Sequence, residues 1–197
     1  MAKVNVFGAG GHARVVADIV EATGREVGCF YDDAPRVETL KGHPVVRPTA
    51  CVDHTEHTAV ESSCASVTGP LVVAIGANKV RKEVAERYCV EYQAIVAPGA
   101  IVAPSAKMGE GSVVLQGAVI QTDATVGCHC IVNIGAMIDH DCEIGDFVHV
   151  AQGVALGGGV KIGEGTWIGA GSVVTSGVKI GCWRVIPPGS VITEDFE

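Results

Sequence analysis

Residues 133–163 read NIGAMIDHDCEIGDFVHVAQGVALGGGVKIG, and within them an aliphatic residue returns at every sixth position: Ile138, Ile144, Val150, Leu156 and Ile162. The register continues unbroken in both directions. It runs back through Val132, Val126, Ile120, Val114, Met108 and Val102 to Val96, and forward through Ile168, Val174, Ile180 and Ile186 to Ile192. Glycine follows three positions later in most of these hexads, as at Gly111, Gly135, Gly159 and Gly171. A stripe of period six is not an amphipathic helix, whose apolar face returns near every 3.6 residues. It fits short strands separated by bends, with glycine where the bend needs a positive φ. Three hexads close a triangular coil of about 18 residues, and coils stack at about the 4.8 Å spacing of paired strands. The expectation is a parallel β-helix of between five and six coils, with the aliphatic ladder pointing inward.

Upstream of residue 95 the pattern changes, which divides the chain into residues 1–92 and 93–197. Val4–Phe7 reads as a buried strand, followed by Gly8-Ala9-Gly10-Gly11-His12 and a helical pattern over Ala13–Ala22. Val27–Tyr31 is a second strand ending in Asp32-Asp33. Leu71–Ile75 is a third, followed by Gly76-Ala77-Asn78 and a helix with Val80, Val84 and Tyr88 as its apolar positions. Strands alternating with helices predict a small, Rossmann-like parallel α/β sheet. The segment from Pro44 to Pro70 carries no clear pattern and is left mostly unassigned.

Composition narrows the function. The chain has 197 residues, 48% hydrophobic and 18% charged, with 26 glycines and only 5% aromatics, which describes an aliphatic core with many tight turns. A net charge of −8 argues against nucleic-acid binding, because phosphate contacts need clustered Lys and Arg. No apolar run approaches the roughly 18 residues of a membrane span, and the N-terminus does not read as a signal peptide. Eight cysteines without a zinc-type CxxC pair suit reduced thiols and a cytoplasmic setting.

Two groups of residues carry candidate chemistry. Gly8 and Gly10 open as a dinucleotide fingerprint does, with Ala13 in place of the third glycine. Free N–H groups at a helix start suit phosphate, though a plain turn asks for the same glycines. Asp32 and Asp33 follow at roughly the nucleotide-binding spacing of 20 residues, where they accept from a ribose hydroxyl or base N–H, or simply form a solvated turn. The domain is short, and no redox partner for a nicotinamide is visible, so a mononucleotide-sized ligand fits better.

On the repeat, His140 stands between Asp139 and Asp141, and a carboxylate beside an imidazole raises its basicity and orients the ring. One coil later, Gly157-Gly158-Gly159 leaves a notch beside it. His149 lies half a coil around, on another face, so the two histidines would meet only across a subunit interface. His129 reads as surface decoration, Cys130 and Cys142 as packing, and Trp167 as lying one coil above His149.

FGAGGHARVVADIV at 7–20, YDD at 31–33, AIGANKVRKEV at 74–84 and the stretch at 133–163 together resemble the sugar acyltransferases of the left-handed β-helix superfamily. Specifically, they resemble the sialic acid O-acetyltransferase and bacillosamine N-acetyltransferase group. The resemblance implies a homotrimer with acetyl-CoA bound between neighbouring subunits. It implies His140 as general base, with Asp141 as the acidic residue that raises its basicity. Asn133 and His149 would place the acetyl thioester, and Gly158 and Ala170 would line the path of the coenzyme. Gly8, Gly10, Gly11, His12, Asp32, Asp33 and Gly76 would hold a nucleotide-linked amino sugar, and no metal is implied. Asp141 is shorter than the Glu that the family also uses, a reach calling for a water or a shifted ring. The C-terminus lacks the family's Gly-Val-Pro-Ala ending. The expected reaction is acetyl-CoA-dependent N-acetylation of a nucleotide-linked 4-amino-deoxy sugar. The rival readings are sugar O-acetylation, a three-histidine metalloenzyme built on His129, His140 and His149, and a non-catalytic scaffold.

Overall fold

The computed structural model describes residues 3–48 and 66–197. The N-terminal unit is built from β1 (Val4–Phe7), α1 (Gly11–Ala22), β2 (Val27–Tyr31), β3 (Thr39–Leu40), β4 (His43–Val46), β5 (Leu71–Val73) and α2 (Asn78–Arg87). The sheet order is β3-β4-β2-β1-β5, parallel throughout except for β3, which pairs antiparallel with β4. The expected strands and α1 are all present. The unassigned segment begins inside β4, and residues 49–65 of it lie outside the described residues.

Helix α1 buries Ala13, Val16, Ala17, Ile19 and Val20 against the sheet, close to the predicted face. Helix α2 departs from expectation at one position. Val84 and Tyr88 are buried as predicted, whereas Val80 is 44% exposed and Arg81 is buried together with Ala85. Arg81 turns inward and donates to carbonyl groups of the second domain.

Residues 95–192 form a left-handed parallel β-helix of seventeen two-residue strands, β6 (Ile95–Val96) through β22 (Val191–Ile192), one per hexad. They stack in three sheets of 6, 5 and 6 strands. Each strand pairs in parallel with the one a full coil later, as in Met137↔Ala155 and Ile138↔Leu156. The ladder residues fill the interior: Val114, Val132, Ile138, Val150 and Ile168 are all fully buried. Each such side chain contributes roughly 1.5–3 kcal/mol by leaving water.

The outward positions differ between the three faces. One face presents Ile95, Val113 and Ile131, all buried beneath the N-terminal unit, and then His149, Trp167 and Val185. A second presents Ile101, Val119, Met137, Ala155, Val173 and Val191, every one apolar. The third presents Lys107, Thr125, Glu143, Lys161 and Lys179. Cys130 and Cys142 pack in the core as expected.

Candidate functional site

His140 and Asp141 occupy the bend that joins the apolar face to the charged face. In most hexads the third position after the ladder residue is a glycine at positive φ, and here it is Asp141, at φ 58°. Aspartate is among the few side chains that enter the left-handed region readily. This backbone turns its carboxylate back onto the preceding ring: His140 Nδ1 to Asp141 Oδ2 is 2.7 Å. The shorter acid therefore reaches the imidazole directly, with no intervening water. Asp139 Oδ1 accepts from the His140 backbone N–H at 2.8 Å. The hydrogen bond to Asp141 and then the charge of Asp139 raise the His140 pKa above the ordinary histidine value.

With Nδ1 engaged, Nε2 is the nitrogen left for chemistry. It lies over Gly158 one coil later, where an added Cβ would fall 2.6 Å from Nε2. The notch expected from the glycine run is therefore real. Among the described residues the Gly158 N–H donates to no protein acceptor. It forms a bare donor beside a bare base.

The second group converges at the carboxyl ends of β1, β2 and β5, where an open α/β sheet binds ligands. Gly8, Gly10, Gly11, His12, Asp32, Asp33 and Gly76 all line one cavity of about 440 Å³. Asp32 Oδ2 accepts from the Ala9 N–H at 2.9 Å, which fixes the glycine loop. Asp33 makes two 2.9 Å contacts with Arg87 Nη1, so α2 closes the far wall. No Cβ-sized obstacle lies within 4 Å of Gly10, Gly11 or Gly76, so the backbone there is open to a ligand.

Between the two groups, Asn133 Nδ2 lies 3.1 Å from His149 Nε2. His12 Nε2 and His149 Nδ1 are both buried without a hydrogen-bond partner. Burial first, and the charge of Arg81 second, push both imidazoles down to about 4. The charge of His12 also acts on His149, so the two imidazoles, one from each domain, feel one another. Ala170 sits on the bend between this face and the apolar one, away from Gly158 and His140. Within one chain, then, the base and Gly158 share one edge, while Asn133 and His149 lie away from it.

Three side chains were misplaced or missed by sequence reasoning. His129 is not surface decoration: it is 6% exposed, stacked at 5.2 Å on Phe147 and edge-on at 4.6 Å to Tyr92. It is covered because α2 docks on this bend. Asn78 Nδ2 donates to the Gly165 carbonyl at 2.9 Å, and Arg81 to those of His129 and Phe147. The available signal was a non-glycine in the glycine slot, which marks Asp141, His129, Phe147 and Trp183 alike. The three histidines of the metalloenzyme reading do not converge within the chain. Among the described residues no group of three or more His, Cys, Asp or Glu is arranged to hold a metal ion.

Among the described residues no helix is long and apolar enough to cross a membrane. The family model described as the PglD N-terminal domain matches residues 3–88. Comparison with curated protein sequences gives no match. Among solved structures, perosamine N-acetyltransferase from Caulobacter crescentus, a histidine-to-asparagine variant in complex with CoA and GDP-perosamine, is 30% identical. The match covers 100% of this chain and 90% of that one, with a TM-score of 0.84. The acetyltransferase domain of PglB from Neisseria gonorrhoeae is 32% identical over 99% and 93% of the two chains, again with a TM-score of 0.84. The same domain in complex with acetyl coenzyme A is 33% identical over 96% and 94%, with a TM-score of 0.73. With identity at this level across nearly the full length of both partners, and a hexad β-helix carrying a paired His-Asp bend, the chain belongs to the left-handed β-helix sugar acyltransferases.

Proposed function

We propose that this protein is an acetyl-CoA-dependent N-acetyltransferase acting on a nucleotide-linked 4-amino-deoxy sugar, with residues 1–92 holding the nucleotide sugar and 93–197 carrying the transfer. The observation that carries this reading is His140: Nδ1 is held by Asp141 and Nε2 stands free over the unblocked backbone of Gly158. Acetyl-CoA supplies a thioester carbonyl whose thin acyl end suits a notch without side chains. His140 Nε2 takes the proton from the acceptor amine as that nitrogen bonds to the carbonyl carbon, and returns it to the sulfur as the C–S bond breaks. The Gly158 N–H donates to the oxygen on which negative charge develops. Asn133 and His149 place the acetyl group, and Ala170 lines the coenzyme path. Gly8, Gly10, Gly11, His12, Asp32, Asp33 and Gly76 hold the nucleotide sugar.

The base and the glycine cavity lie on different edges of one chain, so the working site joins the His140 edge of one subunit to the His149 edge of the next. The all-apolar outward column of Ile101, Val119, Met137, Ala155, Val173 and Val191 supports a homotrimer closed through that face. The described cysteines are all free, in keeping with a cytoplasmic enzyme. Free-thiol release from acetyl-CoA with a panel of nucleotide-linked 4-amino sugars and free sialic acid tests the reading. Turnover on an amino sugar that falls about 10²–10⁴-fold in His140→Ala is expected. Turnover on sialic acid alone moves the reaction to O-acetylation, and turnover untouched in the variant removes His140 from the mechanism.

A further inference from the structure

Trp183 stands in the glycine slot of its hexad, at φ 56°. A bulky side chain in the left-handed region is strained, and strain of this kind persists where the surroundings hold it and gathers at sites that bind. The indole lies over the bend one coil earlier: a Cβ added at Gly165 would run into its fused-ring atoms Cδ2, Cε2 and Cε3. Trp167 is the outward residue of the strand Trp167–Ile168. These two half-buried indoles belong to the only tryptophans in the chain, and both line one cavity of about 410 Å³ together with Gly76 and Lys79. Among the described residues neither indole packs on another ring, and neither indole N–H has an acceptor.

Both domains build this cleft. Asn78 Nδ2 donates to the Gly165 and Thr166 carbonyls at 2.9 and 3.3 Å, which fixes the start of α2 against the bend beneath Trp183. Gly76 lines the cleft and the glycine cavity alike. Trp167 pairs in register with His149, one coil on. The cleft therefore borders both the cavity assigned to the nucleotide sugar and the histidine assigned to the acetyl group. Its chemistry is two-sided. The indole faces carry partial negative charge and attract C–H hydrogens, while the Lys79 ammonium forms no ion pair among the described residues. An apolar wall with a single polar donor suits a ligand that has one apolar face and a hydroxylated edge. A pyranose ring is such a ligand.

We infer that Trp167 and Trp183 form the hexose subsite: their indoles pack against the C–H face of the amino-deoxy ring and Lys79 donates to a ring hydroxyl, so that this cleft recognises the sugar while the glycine cavity holds the nucleotide. The inference rests on the acetyltransferase reading, which requires the sugar end of the substrate to face the β-helix. A nucleobase also stacks on an indole, but a base in this cleft would leave the sugar and its amine in the glycine cavity, away from the thioester.

Because the chain has no other tryptophan, its indole emission reports on the cleft without turnover. The full chain is titrated with UDP- and GDP-linked 4-amino-4,6-dideoxyhexoses, and with UDP and GDP alone. A nucleotide-linked sugar is expected to quench the emission saturably, and the bare nucleoside diphosphates to leave it unchanged. Two variants then read the subsite in turnover. Trp183→Gly supplies the residue that positive φ favours, so the bend is kept. It is expected to raise KM for the amino sugar about tenfold, with kcat and the KM for acetyl-CoA within about twofold of the parent. Trp167→Phe keeps a smaller aromatic face and is expected to raise the sugar KM about threefold. Emission unmoved by every sugar, or moved equally by UDP or GDP alone, overturns the inference whether or not a variant folds. An unchanged sugar KM in folded Trp183→Gly also overturns it. Saturable quenching by an amino sugar that is never acetylated would uphold the subsite and count against the acetyltransferase reading alone, and acetylation with unmoved emission would do the reverse.

Discussion

The imidazole of His140 lies directly over the backbone of Gly158, so close that a methyl group on Gly158 would fall 2.6 Å from Nε2 and 2.7 Å from Cε1. The hexad repeat brings this about. His140 and Gly158 hold the same place in successive coils, and Gly159 N–H donates to the His140 carbonyl at 2.9 Å, locking the two bends together. The reactive nitrogen of the base therefore faces main chain rather than side chain.

Gly158→Ala tests that geometry. The intruding methyl meets only the end of an exposed side chain, and Gly158 is not at positive φ, so the fold has no reason to suffer. The melting temperature should stay within about 2 °C of the parent. The displaced ring should lower kcat about 10–100-fold, since a shift of about 1 Å in a catalytic group has effects of this size. A variant with full activity and the parent's melting curve would show that the notch is not used.

Asp141→Asn keeps the left-handed backbone, which asparagine tolerates, and removes the charge from the hydrogen bond to Nδ1. The His140 pKa should fall back toward 6.5, because the bond to Asp141 is the main reason it is raised. The acid limb of the kcat profile should move to lower pH while the plateau drops about tenfold or more, as a weaker base removes the proton less readily. An unmoved acid limb would detach Asp141 from the titration of the base.

Two substitutions on the apolar face, Met137→Glu and Val173→Glu, place charge where exposed apolar residues stand at 49% and 41% exposure. Neither side chain points into the core of its own chain, so each variant should fold. Light scattering should report a trimer for the parent and a monomer for the variants, with activity lost in step because base and cavity come from different copies. Charged variants that remain trimeric would place the interface elsewhere.

Acid should destabilise the protein earlier than its carboxylates alone would. His12, His129 and His149 titrate near 4 when folded and near 6.5 when unfolded, so the unfolded chain binds more protons throughout that interval. Their stabilisation is complete above about pH 6.5 and is lost as pH falls toward 4, at up to about 1.4 kcal/mol per ring per pH unit. Denaturant midpoints measured between pH 7 and 4.5 should fall steeply, and a flat profile down to pH 5 would contradict the buried, neutral state of these rings.

Most of the β-helix was legible because its determinants are local. A period of six names the inward residue of every strand, and the bend that carries His140 and Asp141 needs only adjacent residues to form. The glycine cavity was legible for a similar reason: three strand ends of a parallel sheet bring Gly8, Asp32 and Gly76 to one edge whatever else surrounds them. Val80 and His129 were misread because their burial is not a property of their own segments. Helix α2 looks like an ordinary amphipathic helix until Arg81 finds the carbonyls of His129 and Phe147, 48 and 66 residues away.

The sequence by itself thus determined which residues point into each coil, where three of the five strands of the small sheet lie, and that a histidine, two aspartates and three glycines share neighbouring bends. Only the tertiary structure decided what covers the outward residues. It buried the first three outward residues of one β-helix face under the N-terminal unit, left another face apolar and open, and sank an arginine between the domains. The physical reason is that an inward ladder follows from periodicity along the chain, whereas the burial of an outward side chain depends on a surface supplied from elsewhere in the chain, and no repeat encodes that contact.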